Sequence, residues 1–334
     1  MFRISGGRAF NRELGLGHVY RSINLASELK KNKIFFLTED YGQVKKTLKK
    51  YGYNNIFLLK KGLSINTDLK ETLKLINRKK IDILIVDKFD SNTKKYVKTM
   101  KKKIKTVVIP DVWKIDYDAN LVINGFIGYE NKIIQNRYGT KCLLGPAYQI
   151  LNKRYEKRER PQRKKFTILA TFGGFDEHNV IEIFYNQLLH YLDKITTKII
   201  LGPATIKSRN VKPVEFKNKK HIVIIQETKN MKKEIASAEF GICGGGLTTY
   251  EFAAMGLPFA IICQYKHQLK TAREWEKRKI ALNLGLPSSR TKTKIQNLLK
   301  NISEEKIPIK PKKSFIVDGL GAKRVALEIL NLAD

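Results

Sequence analysis

Phe240-Gly241-Ile242-Cys243-Gly244-Gly245-Gly246-Leu247-Thr248-Thr249-Tyr250-Glu251 runs from an apolar strand through a triple-glycine bend into the start of a helix. Phe240 to Cys243 reads as a buried strand, and the three glycines turn the chain tightly. Backbone N–H groups at such a helix start, together with the positive end of the helix dipole, suit a phosphate. The amides of Gly244 to Leu247 and the Thr248 hydroxyl are placed to hold a diphosphate. Glu251, one turn further on, is placed to accept hydrogen bonds from ribose hydroxyls, as an acid does in dinucleotide folds. A plain packing turn, with Glu251 as a solvated helix acid, uses the same residues. No Gly-Lys-Ser/Thr follows, so this is not a Walker loop and ATP chemistry is not expected.

A second glycine turn, Gly15-Leu16-Gly17-His18-Val19-Tyr20-Arg21, opens a helix near the other end of the chain. Glycine at 15 and 17 lets a ligand approach the backbone closely. The helix dipole favours a neutral His18 ring, which can accept a proton as a general base. A surface histidine on an ordinary helix start would look the same in isolation. Two such turns in two halves predict a cleft between two nucleotide-binding domains.

The intervening sequence supports that division. Phe2 to Ser5, Lys33 to Thr38, Ile81 to Val86, Thr106 to Ile109 and Leu121 to Asn124 read as strands. Helices are expected over His18 to Lys30, with Val19, Ile23, Ala26 and Leu29 on one face, and over Gln43 to Tyr51. Asn152 to Lys165 is highly charged and has little to bury, which marks a domain boundary. Beyond it the rhythm restarts, with strands at Phe166 to Phe172, Lys198 to Leu201, His221 to Gln226, Phe240 to Cys243 and Phe259 to Cys263. A helix over Ala322 to Leu332 follows Asp318-Gly319-Leu320-Gly321. The expected organisation is therefore an N-terminal domain over 1–150, a second domain over 165–318 and a C-terminal helix within 319–334. The fold class is α/β, with two doubly wound, Rossmann-like domains facing a cleft.

Composition narrows the function classes. With 334 residues, 42% hydrophobic and 29% charged, the chain is long enough for two globular domains and too apolar to be disordered. Cys142, Cys243 and Cys263 show no metal spacing, and an odd count without a framework suits reduced thiols in a cytoplasm. Met1 to Phe10 has no apolar core of signal-peptide length, and the most apolar stretch, Phe240 to Cys263, is broken by Glu251, Pro258 and glycines. A soluble, cytoplasmic protein is expected. The net charge of +34 raises nucleic acid as a partner. The lysines, however, lie in short runs along the whole chain, and no RRM, helix-turn-helix or zinc signature accompanies them. Solvated lysine faces and weak attraction to an anionic inner-membrane surface are expected instead. The sequence shows no assignable Ser-His-Asp arrangement, no HExxH and no paired-carboxylate motif of glycosidase type, and no metal is expected.

Two more segments lie at carboxyl ends of strands, where open α/β sheets bind ligands. Thr171-Phe172-Gly173-Gly174-Phe175-Asp176 is a ligand-facing loop or a plain turn. Gln264, His267 and Gln268 follow the Phe259 to Cys263 strand, with a solvated loop as the alternative for His267.

In these segments the chain resembles a known family. Gly15 to Arg21 is similar to the GxGHxxR turn of the UDP-sugar hydrolases of pseudaminic acid biosynthesis, which resemble the GT-B glycosyltransferase that completes lipid II. Leu143-Leu144-Gly145-Pro146-Ala147-Tyr148 is similar to the family's LLGPxY junction, and Phe172 to Asp176 to its FGGxD loop. Gly244 to Glu251, Gly256-Leu257-Pro258, Gln264 and Gln268 resemble its uridine-diphosphate site. Ala281 to Gly285 and Asp318 to Val325 match its later segments, so the likeness runs along nearly the whole chain.

The resemblance implies a GT-B-type fold and a cleavage at the anomeric carbon of a UDP-linked acetamido-sugar. It implies His18 as the base that activates water, without metal and with inversion. Gly17, Arg21, Gly173, Gly174, Asp176, Gly244, Gly245, Gly246, Leu247, Thr248, Glu251, Gln264 and Gln268 are implied as substrate contacts. Two positions depart from the pattern. Phe89 stands where the family has an active-site tyrosine, and His267 where it has an asparagine. Contacts to the sugar are thereby altered, which keeps open another nucleotide sugar, or glycosyl transfer in place of hydrolysis. A non-catalytic binder of anionic ligands or nucleic acid is the alternative that charge alone suggests.

Overall fold

Near-continuous Val/Ile/Leu runs leave a strand no polar face, and such strands are stable only inside a sheet covered on both sides. In the computed structural model the described residues are 1–9, 12–13, 16–88, 92–110, 113–156, 167–174, 176, 178–191, 195–202, 221–228, 230–307, 309 and 316–332. The chain divides into two compact units, one made of Met1–Lys153 with Gly319–Asp334 and the other of Arg154–Asp318.

Unit 1 begins with β1 (Phe2–Ile4), the short hairpin β2 (Arg8–Ala9) and β3 (Arg12–Glu13), and α1 (Gly17–Glu28). It continues through β4 (Phe36–Glu39), α2 (Gln43–Lys50), β5 (Ile56–Leu59), α3 (Ile65–Lys79), β6 (Ile83–Asp87) and α4 (Thr93–Lys101). β7 (Lys105–Val108), β8 (Leu121–Asn124), β9 (Lys132–Gln135) and β10 (Lys141–Leu144) complete it. The sheet order is β5-β4-β1-β6-β7-β8-β10-β9, parallel except for the antiparallel edge strand β9. Succession reverses between β1 and β6, so the chain feeds away from that point in both directions.

Unit 2 contains β11 (Thr167–Thr171), α5 (Val180–Leu188), β12 (Thr196–Leu201), β13 (Ile222–Gln226) and α6 (Met231–Ala236). β14 (Phe240–Cys243), α7 (Thr248–Ala254), β15 (Phe259–Ile262), α8 (Gln268–Lys277), β16 (Ala281–Gly285) and α9 (Ser289–Ser303) follow. All its strands are parallel in the order β13-β12-β11-β14-β15-β16. The reversal here lies between β11 and β14. Each unit is thus a doubly wound α/β sheet with a topological switch point, the place where such sheets take ligands.

The last helix, α10 (Gly321–Leu330), belongs to unit 1 and packs on α1. Val325, Ala326 and Ile329 are buried there, and Arg324 Nη1 donates to the Ala147 carbonyl at 3.0 Å. A Cβ on Gly321 would stand 2.2 Å from the Gln149 carbonyl oxygen, so only glycine lets α10 come so close.

Several boundaries differ from the sequence reading for simple reasons. The second strand starts at Phe36 and not Lys33, because Phe36 is the first residue to pair with β1. α1 starts one residue earlier than expected, at Gly17, and ends at Glu28. Of the charged stretch over 152–165, residues 157–165 lie outside the described residues. Cys142, Cys243 and Cys263 are buried thiols. Among the described residues, no helix is long and apolar enough to cross a membrane.

Candidate functional site

In unit 1 the switch point brings together two residues far apart in the chain. The register pairs Ile4 of β1 with Asp87, the last residue of β6. α1 follows β1, so His18, its second residue, stands above that strand end. His18 Nδ1 lies 2.5 Å from Asp87 Oδ1. At that distance a hydrogen must lie between the two atoms, so Nδ1 donates to the carboxylate and Nε2 is the nitrogen able to take a proton.

Asp87 is fully buried and heavily engaged. Arg21 grips it with Nε to Oδ2 at 3.0 Å and Nη2 to Oδ1 at 2.6 Å, and Ser22 Oγ donates to Oδ2 at 3.3 Å. Burial alone would raise its pKa, but the Arg21 guanidinium charge and the hydrogen bonds from His18 and Arg21 outweigh it and hold the carboxyl well below the usual range. A permanent carboxylate therefore orients the His18 ring. The Arg21 side chain, read from the sequence as a substrate contact, is placed as the clamp on Asp87.

A buried ionic cluster backs this pair. Arg3 Nε and Nη2 donate to the two oxygens of Asp68 at 3.0 and 2.8 Å, and Lys88 Nζ, next in sequence to Asp87, donates to Asp68 at 2.5 Å. Thr72 donates to Asp68, and Tyr96 to Thr72. These bonds anchor the carboxyl end of β6 beside the catalytic candidate. Gly17 is exposed at the helix start, with nothing within 4 Å of a Cβ built there. Gly15 and Phe89 lie outside the described residues.

Unit 2 gathers the remaining candidates at its own switch point. β14 lies between β11 and β15, so the loops after those strands flank the Gly244–Gly246 turn. Gln268 Oε1 accepts from Gln264 N at 2.8 Å and from Gly245 N at 3.3 Å, while Gln264 Nε2 donates to the Phe172 carbonyl at 2.7 Å. A Cβ on Gly245 would meet Gln268 Cβ at 2.6 Å, so the brace requires glycine there. Gln264 and Gln268 are thus placed as the scaffold of the turn, and one of its amides is already taken. Gly246 is exposed, and Leu247 and Thr248 are half-buried at the start of α7.

Glu251 is half-buried. Burial pushes its carboxyl up to about 7, against a hydrogen bond from the Tyr155 hydroxyl. Asp176 accepts from the amides of Val180 and Ile181, both at 2.8 Å, and so caps α5. Gly173 holds a φ of +87° that glycine alone adopts easily, and Gly174 is half-buried beside it; Phe175 lies outside the described residues. His267 is exposed, with its ring parallel to that of Tyr265.

Sequence reasoning missed Asp87 as a partner for His18 and Tyr155 as a partner for Glu251. A signal for the first was present, since an acid closing an apolar strand beside a switch point sits where ligands bind. No local signal points to the second.

No family model matches the chain. An uncharacterized protein of Methanocaldococcus jannaschii is 27% identical over 272 residues, 77% of this chain and 54% of that protein. The chain thus spans about half the length of that relative. The spore coat polysaccharide biosynthesis protein SpsG of Bacillus subtilis is 27% identical over 298 residues, covering 82% of this chain and 81% of SpsG. Among solved structures, Acinetobacter baumannii MurG matches with a TM-score of 0.61 and 14% identity, covering 99% of both chains. S. aureus MnaA, solved with UDP, matches with a TM-score of 0.63 and 12% identity over 99% of this chain and 96% of that one. CalG4, the calicheamicin glycosyltransferase, gives 0.63 and 12% over 99% and 97%. At such identities the likeness is one of fold, and the fold is of the GT-B type, with two doubly wound α/β units in one chain.

Proposed function

We propose that the chain is an enzyme acting on a UDP-linked acetamido-sugar in surface-polysaccharide or nonulosonate biosynthesis, breaking the bond between the anomeric carbon and the diphosphate. The observation that carries this reading is the His18–Asp87 pair at the switch point of unit 1. A neutral imidazole oriented by a buried carboxylate is a general base ready to deprotonate a nucleophile. In the hydrolytic form, the water oxygen bonds to the anomeric carbon and its proton goes to His18 Nε2. The carbon–oxygen bond to UDP breaks with its electron pair on the phosphate, and the configuration inverts. Asp87 stays ionised throughout and complements the charge that the ring acquires.

Unit 2 supplies the nucleotide side of the same reading. The Gly246 to Thr248 amides take the diphosphate, and Glu251 in its ionised form accepts from the ribose hydroxyls. SpsG, by name a polysaccharide biosynthesis protein, and MnaA, solved with UDP, support the substrate class. The motifs that resemble the pseudaminic acid hydrolases support water as the nucleophile. The fold shared with CalG4 supports a second reading, in which a hydroxyl acceptor replaces water at the same base. The net charge of +34 supports a working place near an anionic membrane surface.

Purified protein incubated with a panel of UDP-acetamido-sugars in heavy-oxygen water tests the reading. Hydrolysis releases UDP and free sugar at equal rates, with the heavy oxygen on the sugar's anomeric hydroxyl. Transfer shows slow UDP release until an acceptor glycan or lipid is added. His18→Gln should retain UDP binding and lose about a hundredfold or more in turnover. Absence of UDP release from every donor, with and without acceptors, would remove both readings.

A further inference from the structure

Unit 1 buries more charge than the His18–Asp87 pair accounts for. Arg3 of β1, Asp68 of α3 and Lys88, the residue after β6, are all buried. Asp68 accepts from Arg3 Nε and Nη2, from Lys88 Nζ and, at 3.2 Å, from the Thr72 hydroxyl. The Lys88 ammonium also lies 4.6 Å from the centre of the Tyr96 ring, and Glu39 stands 4.0 Å from Arg3. Burial alone would raise the Asp68 carboxyl, but Arg3 and Lys88 hold it below the usual range, so the group is ionised at neutral pH. Taking three ions out of water is costly, and apolar side chains of similar volume often fill such a space with equal or greater stability. An ionic cluster in this place points to a requirement other than stability.

That requirement lies at the end of β6. The strand pairs with β1 as far as Asp87 and with β7 as far as Val86, and its ladder stops there. Successive residues of an extended chain face opposite ways. Asp87 meets His18, Arg21 and Ser22 of α1, whereas Lys88 meets Asp68 of α3 and Tyr96 of α4. The Lys88 side chain thus ties the strand end to α3 and α4, one residue after the carboxylate that reaches α1. The His18–Asp87 separation is 2.5 Å, and a drift of about 1 Å at the strand end would carry it to the limit of a hydrogen bond. We infer that Asp68, acting through Lys88, is a positioning residue that fixes the Asp87 carboxylate and with it the His18 tautomer. The effect on turnover rests on the proposed general-base reading; the effect on the ring does not.

Proton NMR of the UDP-free protein reads the pair without substrate. Wild type should show a low-field imidazole N–H signal from the short bond to Asp87, assigned by its loss in His18→Gln. The triple variant Arg3→Met, Asp68→Leu, Lys88→Met removes all three ions together and should remain folded. Its low-field signal should vanish, and UDP release should fall by about tenfold to a hundredfold at unchanged UDP affinity. Ile76→Ala opens a cavity in the same helix, α3, and should lower the urea midpoint while keeping both signal and turnover. Where the triple variant fails to fold, Lys88→Met alone, which keeps the Arg3–Asp68 pair, should lose the same signal. Persistence of the signal in the folded triple variant or in Lys88→Met would overturn the inference. So would its loss in Ile76→Ala, which would mark general loosening, or its absence from wild type. A wild-type protein that turns over no UDP-sugar would remove the proposed function, while the proton signal still decides the positioning.

Discussion

Replacing Glu251 by Gln should stabilise the protein at alkaline pH while weakening its hold on the nucleotide. Burial raises the Glu251 carboxyl from 4.5 to about 7 in the folded chain. For a fully dry carboxylate that displacement corresponds to about 3 kcal/mol against the ionised form; partial exposure to water reduces the expectation to about 2 kcal/mol. The sign follows from proton binding. The folded state keeps a proton that the unfolded chain releases between 4.5 and about 7, so this group's contribution is greatest below 4.5 and is lost as pH rises through 7. Glutamine has no such loss. Urea unfolding of unit 2 should therefore show Glu251→Gln more stable than wild type by about 2 kcal/mol near pH 8 and nearly equal to it near pH 5. Trp275, fully buried with its ring 5.3 Å from Tyr250, reports that transition by fluorescence. The same variant should bind UDP more weakly at pH 8, where the wild-type carboxylate is ionised. A stability difference that is the same at both pH values, or a less stable variant at pH 8, would refute the reasoning.

The remaining expectations concern the two switch points and the core. Asp87→Asn should cost about a hundredfold or more in UDP release with UDP affinity unchanged, and about 2 kcal/mol of stability, because Arg21 loses its buried counter-charge; near-normal turnover would show that His18 does not need this partner. Gly245→Ala should cost about 1–3 kcal/mol through its collision with Gln268, whereas Gly246→Ala, with open space at the Cβ, should stay within about 0.5 kcal/mol. Equal denaturation midpoints for the two variants would count against the brace. The thiols should resist an aromatic disulfide reagent at pH 8 in the folded protein, since all three are buried and burial pushes Cys142 up to about 11 and Cys263 up to about 12. Rapid labelling of any thiol before denaturant is added would contradict that packing.

Strands such as Phe240–Cys243 and Leu121–Asn124 were legible because a continuous apolar run ended in a glycine or asparagine. β5 and β9 were not. Lys132-Ile133-Ile134-Gln135 is half polar and becomes a strand only because β10 offers it an edge. The sequence placed His18 on a helix start, but its orientation depends on Asp87, sixty-nine positions away, which only the pairing of Ile4 with Asp87 brings near. In unit 2 the tight Gly244–Gly246 turn between an apolar strand and a helix was legible, with Glu251 one turn further on. The engagement of Gln268 with the turn was not, because a glutamine amide carries no spacing signal for the backbone it will brace. Asp176 was legible as a special residue. Its cap on α5 could also have been read from an acid placed just before the Val180–Leu188 helix.

The return of α10 to unit 1 has a consequence for how the protein is made. Residues 1–153 leave the ribosome long before Gly321–Leu330, and unit 2 is synthesised between them. Until Gly321–Leu330 has been made, α1, the helix that carries His18, lacks the apolar neighbour that Val325, Ala326 and Ile329 supply. Unit 2 is continuous in sequence and can consolidate first, while residues 1–153 wait with an uncovered helix face for α10 to arrive. Termination between unit 2 and α10 would therefore leave unit 2 complete and the unit that carries His18 unfinished.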